Sequence, residues 1–235
     1  MIDFKGMELT EDIHCKLDEF EIDFAFQPIF RLKDMYLVGY EALMRPKDKT
    51  PLELIDEYSK TGELHKVELA TLFGAWQAYR NRGYDTLLSL NSFPEECMTD
   101  EEERVFHKTF PESQLSMILE ILEYTKFNEE KWVIKRNQLK ERQIKTVLDD
   151  FGTGNNTDIS IVDIYDSVMV KLDRKLIAGI DSDNELQKKV VEYIDAFHKK
   201  NVLVLAECVE TEEELDYLKS VGVDFAQGYY LGKPL

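Results

Sequence analysis

A chain of 235 residues, 43% of them hydrophobic and 11% aromatic, carries enough apolar material for one sizeable core, which excludes a disordered or low-complexity polypeptide. Its 47 acidic against 29 basic residues leave a formal charge of -18. That sign argues against sequence-independent binding to long nucleic acid, where many phosphates must be neutralised, but leaves open a small phosphorylated ligand held through cations.

Along the chain, the opening stretch MIDFKGMELTEDIHC has neither the basic region nor the apolar run of a secretion signal, and no later run reaches the length of a membrane span. A soluble, cytoplasmic protein with no membrane attachment is expected. Cys15, Cys97 and Cys208 are too widely spaced for a C-x-x-C metal site or a disulfide framework, which suits a reducing compartment. Residues 1–22 are expected to form a short leading helix with Ile13, Leu17 and Phe20 on its buried face, ahead of one domain over 23–235.

Eight short apolar runs of strand character follow: DFAFQPIF, YLVGYEALM, TLLSLN, SMILEIL, KTVLDD, SVMVKL, NVLVLAE and DFAQGYYL. Between most of them lie helical segments with cap chemistry. Thr50-Pro51-Leu52-Glu53 and Thr211-Glu212-Glu213-Glu214 are capping boxes, and Gly222 is placed to stop the second helix. In NELQKKVVEYIDAFHKK, the residues Leu186, Val190, Val191, Ile194 and Phe197 share one face. Strand and helix in alternation imply a parallel sheet covered by helices, and eight strands suggest an α/β fold of the TIM-like (β/α)8 barrel type. Only RLKDM separates the first two strands, too little for a parallel crossover, so the first strand should run antiparallel.

Polar residues stand at the carboxyl ends of these runs: Glu41 with Arg45, Asn91, Glu120, Asp149 with Asp150, Lys171 with Asp173, Glu207, and Gln227. In a barrel these ends form one face, where chemistry is housed. Two adjacent aspartates repel unless protonated, separated or bridged by a cation. An oxygen-only donor set suits Mg2+ or Mn2+, and a carboxylate doublet can bridge two such ions. His14, His65, His107 and His198 fall outside the strand ends, which argues against zinc. Asp150-Phe151-Gly152 spells a kinase tripeptide without the other kinase elements, and Gly152-Thr153-Gly154 lacks the further glycine or lysine of a nucleotide loop. Lys171 could either hold an attacking water or neutralise its carboxylate neighbours.

Read in order, QPIF at 27–30, YEALMR at 40–45, LN at 90–91, LEILE at 119–123, LDDFGTG at 148–154, VKLDR at 170–174, AECVET at 206–211 and QGYYLGKPL at 227–235 resemble the EAL domain, the cyclic di-GMP phosphodiesterase module of bacteria. The resemblance implies a TIM-like barrel with an antiparallel first strand, two Mg2+ or Mn2+ ions, a homodimer, and hydrolysis of cyclic di-GMP to linear pGpG. It implies metal ligation by Glu41, Asn91, Glu120, Asp149 and Asp150, and catalytic roles for Lys171, Glu207 and Glu123, the last bracing the loop after the aspartates. Gln27, Leu43, Arg45 and Gln227 would meet or flank the substrate. Three positions depart from the family pattern: Asn155-Asn156-Thr157 replaces tyrosine-serine-serine, Leu122 replaces a hydroxyl residue, and Cys208 replaces a glycine. The alternative these departures raise is a catalytically inactive cyclic di-GMP receptor that signals through a protein partner.

Overall fold

The computed structural model describes residues 1–122, 128–152 and 158–235. Among these, eight strands close into a single barrel in sequence order: β1 Ile22–Arg31, β2 Tyr36–Pro46, β3 Leu87–Ser92, β4 Met117–Ile121, β5 Lys145–Phe151, β6 Ser167–Leu172, β7 Leu203–Ala206 and β8 Phe225–Ala226. β1 runs antiparallel to both its neighbours, β2 and β8, and every other pair is parallel. The short 32–35 connection imposes this reversal, because a parallel return needs a crossover of a dozen or more residues.

The helices are α1 Glu11–Leu17, α2 Pro51–Thr61, α3 Leu64–Asn81, α4 Asp100–Thr109, α5 Ser113–Ser116, α6 Glu129–Glu141, α7 Ile161–Tyr165, α8 Arg174–Ile177, α9 Asn184–Lys199 and α10 Glu212–Ser220. Both expected capping boxes are formed, Thr50 with Glu53 and Thr211 with Glu214, and each offsets otherwise unpaired amides in the first turn. In α9, Val190, Ile194 and Phe197 are fully buried, while Leu186 and Val191 are only half-buried. α1 covers less of 1–22 than expected, since a 3-10 turn over Phe4–Gly6 precedes it, closed by the Asp3 carboxylate accepting from the Gly6 amide. Ile13, Leu17 and Phe20 are buried, as their spacing suggests, in the same apolar core as Phe24 and Phe73.

The last strand is much shorter than the run DFAQGYYL suggests. After Ala226 the chain turns against the β7 exit: the Val209 amide donates to Gln227 O at 3.1 Å, and the Tyr230 amide donates to Val209 O at 3.1 Å. A Cβ on Gly228 would lie 2.2 Å from the Val209 backbone nitrogen and oxygen, so only glycine permits this approach.

Alternation along the strands sorts the barrel into layers. Ile29, Ile118, Val147, Met169 and Leu205 form a compact apolar plug inside it. Two residues further along three of these strands stand Glu120, Asp149 and Lys171, and Glu207 follows directly at the exit of β7, all towards the inside of the barrel. Leu119, Leu148, Val170, Val204 and Ala206 belong to the outer core under the helices. The polar layer therefore rests on a dry floor at the carboxyl end of the parallel strands.

Candidate active site

One register irregularity explains the aspartate doublet. Between β5 and β6, Leu148 pairs with Val170 and Phe151 with Leu172, which leaves Asp149 and Asp150 together opposite Lys171 alone. This is a β-bulge, and it cancels the alternation that would send adjacent side chains to opposite faces. Asp150 takes the left-handed backbone conformation, φ 51°, to make it. A carboxylate oxygen of each aspartate and one of Glu207 consequently lie within 4.8 Å of one another.

Lys171 is the hub of the polar layer. Its Nζ, on a side chain only 1% exposed, lies 2.6 Å from Glu120 Oε2, 2.7 Å from Glu207 Oε1, 3.0 Å from Asp149 Oδ1 and 3.5 Å from Glu41 Oε2. Burial works against its charge, but Asp149, Glu120, Glu207 and Glu41 outweigh burial and hold its pKa well above the ordinary lysine range. In this carboxylate layer the Lys171 side chain is held in its ammonium form.

One ammonium cannot balance the carboxylates around it. Burial, reinforced by the Glu41 charge, pushes Glu120 up to about 8, against the opposing pull of Lys171. Glu207 is likewise raised well above the usual carboxylate range by burial. Asp150 stands at the exposed rim, yet the protein packed around it and the neighbouring Asp149 push it up to about 6. The layer thus retains protons that a divalent cation would displace, and its oxygen donors fit Mg2+ or Mn2+.

Amides and hydroxyls complete the ring. Gln227 Nε2 donates to Glu41 Oε2 at 2.6 Å and to Glu207 Oε1 at 3.3 Å, and Asn91 Nδ2 donates to Glu41 Oε1 at 3.3 Å. Gln27 lies opposite Glu41 in the β1–β2 ladder and donates to Gly232 O at 3.2 Å. Leu43 and Arg45 continue the Glu41 face of β2 towards the mouth; Leu43 is half-buried, and the exposed Arg45 donates to Met44 O at 2.9 Å. Asp173 caps the N-terminus of α8 through its side chain and adds its charge to those that raise Asp150. Glu123 and Asn155-Asn156-Thr157 lie outside the described residues.

Two buried polar side chains on or beside β3 escape sequence reasoning. Ser89, fully buried, donates to Glu120 Oε1 at 2.5 Å, and Lys135 is buried behind β3 against Glu68. For Ser89 the signal is its place two residues before Asn91 on the inward face. For Lys135 it is a lysine on the buried stripe of α6 between Trp132 and Leu139.

The profile of the EAL domain family matches residues 9–234. The chain belongs to the EAL domain family. It is 31% identical over 250 residues to "Probable cyclic di-GMP phosphodiesterase PdeG" of Escherichia coli (strain K12), an alignment covering 98% of this chain and 48% of that protein. The chain spans about half or less of the length of the curated relatives it matches first. Among solved structures, a standalone versatile EAL protein from Vibrio cholerae O395 in its c-di-GMP-bound form superposes with a TM-score of 0.80 at 25% identity, over 92% of this chain and 93% of that one. The manganese and cyclic di-GMP complex of BlrP1 from Klebsiella pneumoniae shares the EAL fold at TM-score 0.77 and 22% identity, over 93% and 57%. The described part of this EAL domain has no helix long and apolar enough to cross a membrane.

Proposed function

We propose that the domain hydrolyses cyclic di-GMP to linear pGpG in a reaction dependent on Mg2+ or Mn2+. The observation that carries this reading is the bulge that sets Asp149, Asp150 and Glu207 around one point beside the Lys171 hub. Glu41, Asn91, Glu120 and Asp149 would hold one ion, and Asp149 and Asp150 would reach the second. Such ions, when bound, neutralise the phosphate and lower the pKa of a coordinated water.

The chain's own groups supply the rest. Lys171 orients Glu120, Glu207 and Asp149 through its ion pairs and offsets the charge that gathers on the phosphoryl oxygens. Glu207, 2.7 Å from Lys171 Nζ and grouped with Asp149 and Asp150, is placed to accept the proton of the attacking water. Water oxygen bonds to phosphorus as the bond from phosphorus to the 3′ oxygen breaks, one water proton passing to Glu207 and the leaving 3′ oxygen taking up a proton from solvent. Gln27, Leu43, Arg45 and Gln227 border the mouth where the guanylate would lie, and Glu123 is assigned to brace the loop after the aspartates. The two-ion stoichiometry, the homodimer, the cytoplasmic setting and the division into a leading segment 1–22 and a domain 23–235 belong to the same proposal.

A second reading, a receptor that binds cyclic di-GMP without cleaving it, is favoured by one observation: Cys208, beside Glu207, occupies a left-handed conformation, φ 55°, at a position where the resemblance implies glycine. One experiment separates the two. The enzyme reading expects pGpG on a chromatogram in Mg2+ or Mn2+, and binding without cleavage in Ca2+, whose longer bonds of about 2.3–2.6 Å loosen the attack geometry. Calorimetric binding in all three ions with no pGpG in any would decide for the receptor.

A further inference from the structure

The buried ion pair behind β3 sits outside the barrel and takes no part in the reaction as derived above. Lys135, in α6, and Glu68, in α3, are 3% and 2% exposed. Lys135 Nζ faces four oxygens: Glu68 Oε1 at 2.8 Å, Ser92 Oγ at 2.7 Å, Phe93 O at 2.5 Å and Glu96 O at 2.7 Å. Glu68 in turn accepts from Ser92 Oγ at 2.6 Å and from the Phe93 amide at 3.0 Å. Every one of these contacts beyond the pair itself falls on the end of β3 or the loop leaving it.

A buried pair of this kind is seldom more stabilising than two well-packed apolar side chains of the same volume, because both ions must be desolvated. What apolar side chains could not do is bind the backbone and hydroxyl of 92–96 at defined points. Asn91 precedes Ser92 and presents its amide to Glu41 on the opposite, inward face. Two residues earlier, Ser89 anchors the same strand to Glu120. Asn91 is thus held between an inner hydroxyl anchor and an outer ionic one. We infer that Lys135, paired with Glu68, is a positioning residue that sets the Asn91 amide for the cation site. This inference rests on the metal-site reading above.

The test removes both charges at once, so that neither is left alone in the core. In Lys135→Met/Glu68→Gln, amide hydrogen exchange of the metal-free protein should quicken across 91–96 while β5 keeps its protection. Calorimetric affinity for Mn2+ should fall about tenfold, the range typical of partners that orient metal ligands. In an Asn91→Ala background the same double change should cost no further affinity, since the residue it positions is gone. Ser92→Ala, which keeps both charges, should show the same pattern with a smaller loss of affinity, and it serves where the double variant fails to fold. Unchanged Mn2+ affinity, or equal losses with and without Asn91, would overturn the positioning role. A wild-type protein that takes up no Mn2+ would overturn the site reading and this inference with it, and that result appears before any substitution is made.

Discussion

Asp149 and Asp150 share one partner position across the β5–β6 ladder, and the chemistry proposed for the site depends on that crowding. Asp149→Asn removes the charge common to both cation positions; we expect turnover to fall more than about 100-fold, beyond the loss typical of residues that only orient ligands, with nucleotide binding retained. Assay at saturating Mn2+ checks it, and near wild-type turnover would be incompatible with a bridging role. Proton competition gives a second expectation. Glu120 is raised to about 8 and Asp150 to about 6, so both are protonated below those values and must lose their protons to ligate. Mn2+ affinity should therefore rise as pH climbs from 6 to 8, with proton release visible as a dependence of the calorimetric heat on buffer. An affinity flat over that window would refute the assignment. At Cys208, φ 55° strains a side chain with a Cβ, and glycine would relieve it. Cys208→Gly should gain about 0.5–1 kcal/mol, a rise of roughly 1–4 °C in thermal midpoint.

Elements outside the barrel are tied together by charge as well as by the apolar core. Glu102 of α4, on a side chain 1% exposed, accepts from Lys16 of α1 at 2.8 Å and lies 3.0 Å from His65 Nε2 of α3, while also receiving the Thr99 amide at 2.7 Å in its own capping box. Burial would raise its pKa, but these partners hold it down at about 2, and Glu102 with Glu96 lifts His65 to about 9. The sign differs at the two ends of the pH range. The His65 contribution is complete below its ordinary 6.5 and lost as pH rises through 9, whereas that of Glu102 is complete above 4.5 and lost as pH falls towards 2. Glu102→Gln leaves His65 and Lys16 facing a neutral group and should cost about 3 kcal/mol, with the largest difference from wild type between pH 4.5 and 6.5. Denaturant titration at several pH values measures it. Such ties are hard to foresee, because α1, α3 and α4 are far apart in sequence. The caps at Thr50 and Thr211 were legible because cap and partner lie within one turn, and β6 was legible because an apolar run bounded by Asp166 and Asp173 has no alternative reading. DFAQGYYL reads as a longer strand than β8 because its periodicity is that of a strand, while the close approach of Gly228 to Val209 is a tertiary fact. The bulge at Asp149 was invisible for a related reason: register belongs to two strands and is written in neither.

For the whole molecule, the carboxylate ring makes stability a function of cation and proton together. Without a cation, Glu120 binds its proton more tightly folded, near 8, than its ordinary 4.5, so metal-free stability should decline as pH rises between those values. A cation that binds only the folded chain acts in the other direction and more strongly at high pH. A chelator should therefore lower the thermal midpoint more at pH 8 than at pH 6, and an equal drop at both would contradict the coupling.

The seam of the barrel gives this ring a place in time. β1 and β8 meet through only two register pairs, Phe30 with Ala226 and Arg31 with Phe225, and the backbone of Leu235 exchanges hydrogen bonds with Phe26 beside them. These contacts join the most distant parts of the chain, and loop-closure entropy makes such pairings late events in folding. Gln27 and Glu41 arrive from one side of the seam, Glu207 and Gln227 from the other. Glu120, Asp149, Asp150 and Glu207 stand on the contiguous staves β4 to β7, whereas the contacts of Gln227 with Glu41 span the seam, so the last stave to be fitted is the one that joins Glu41 to the far side of the ring.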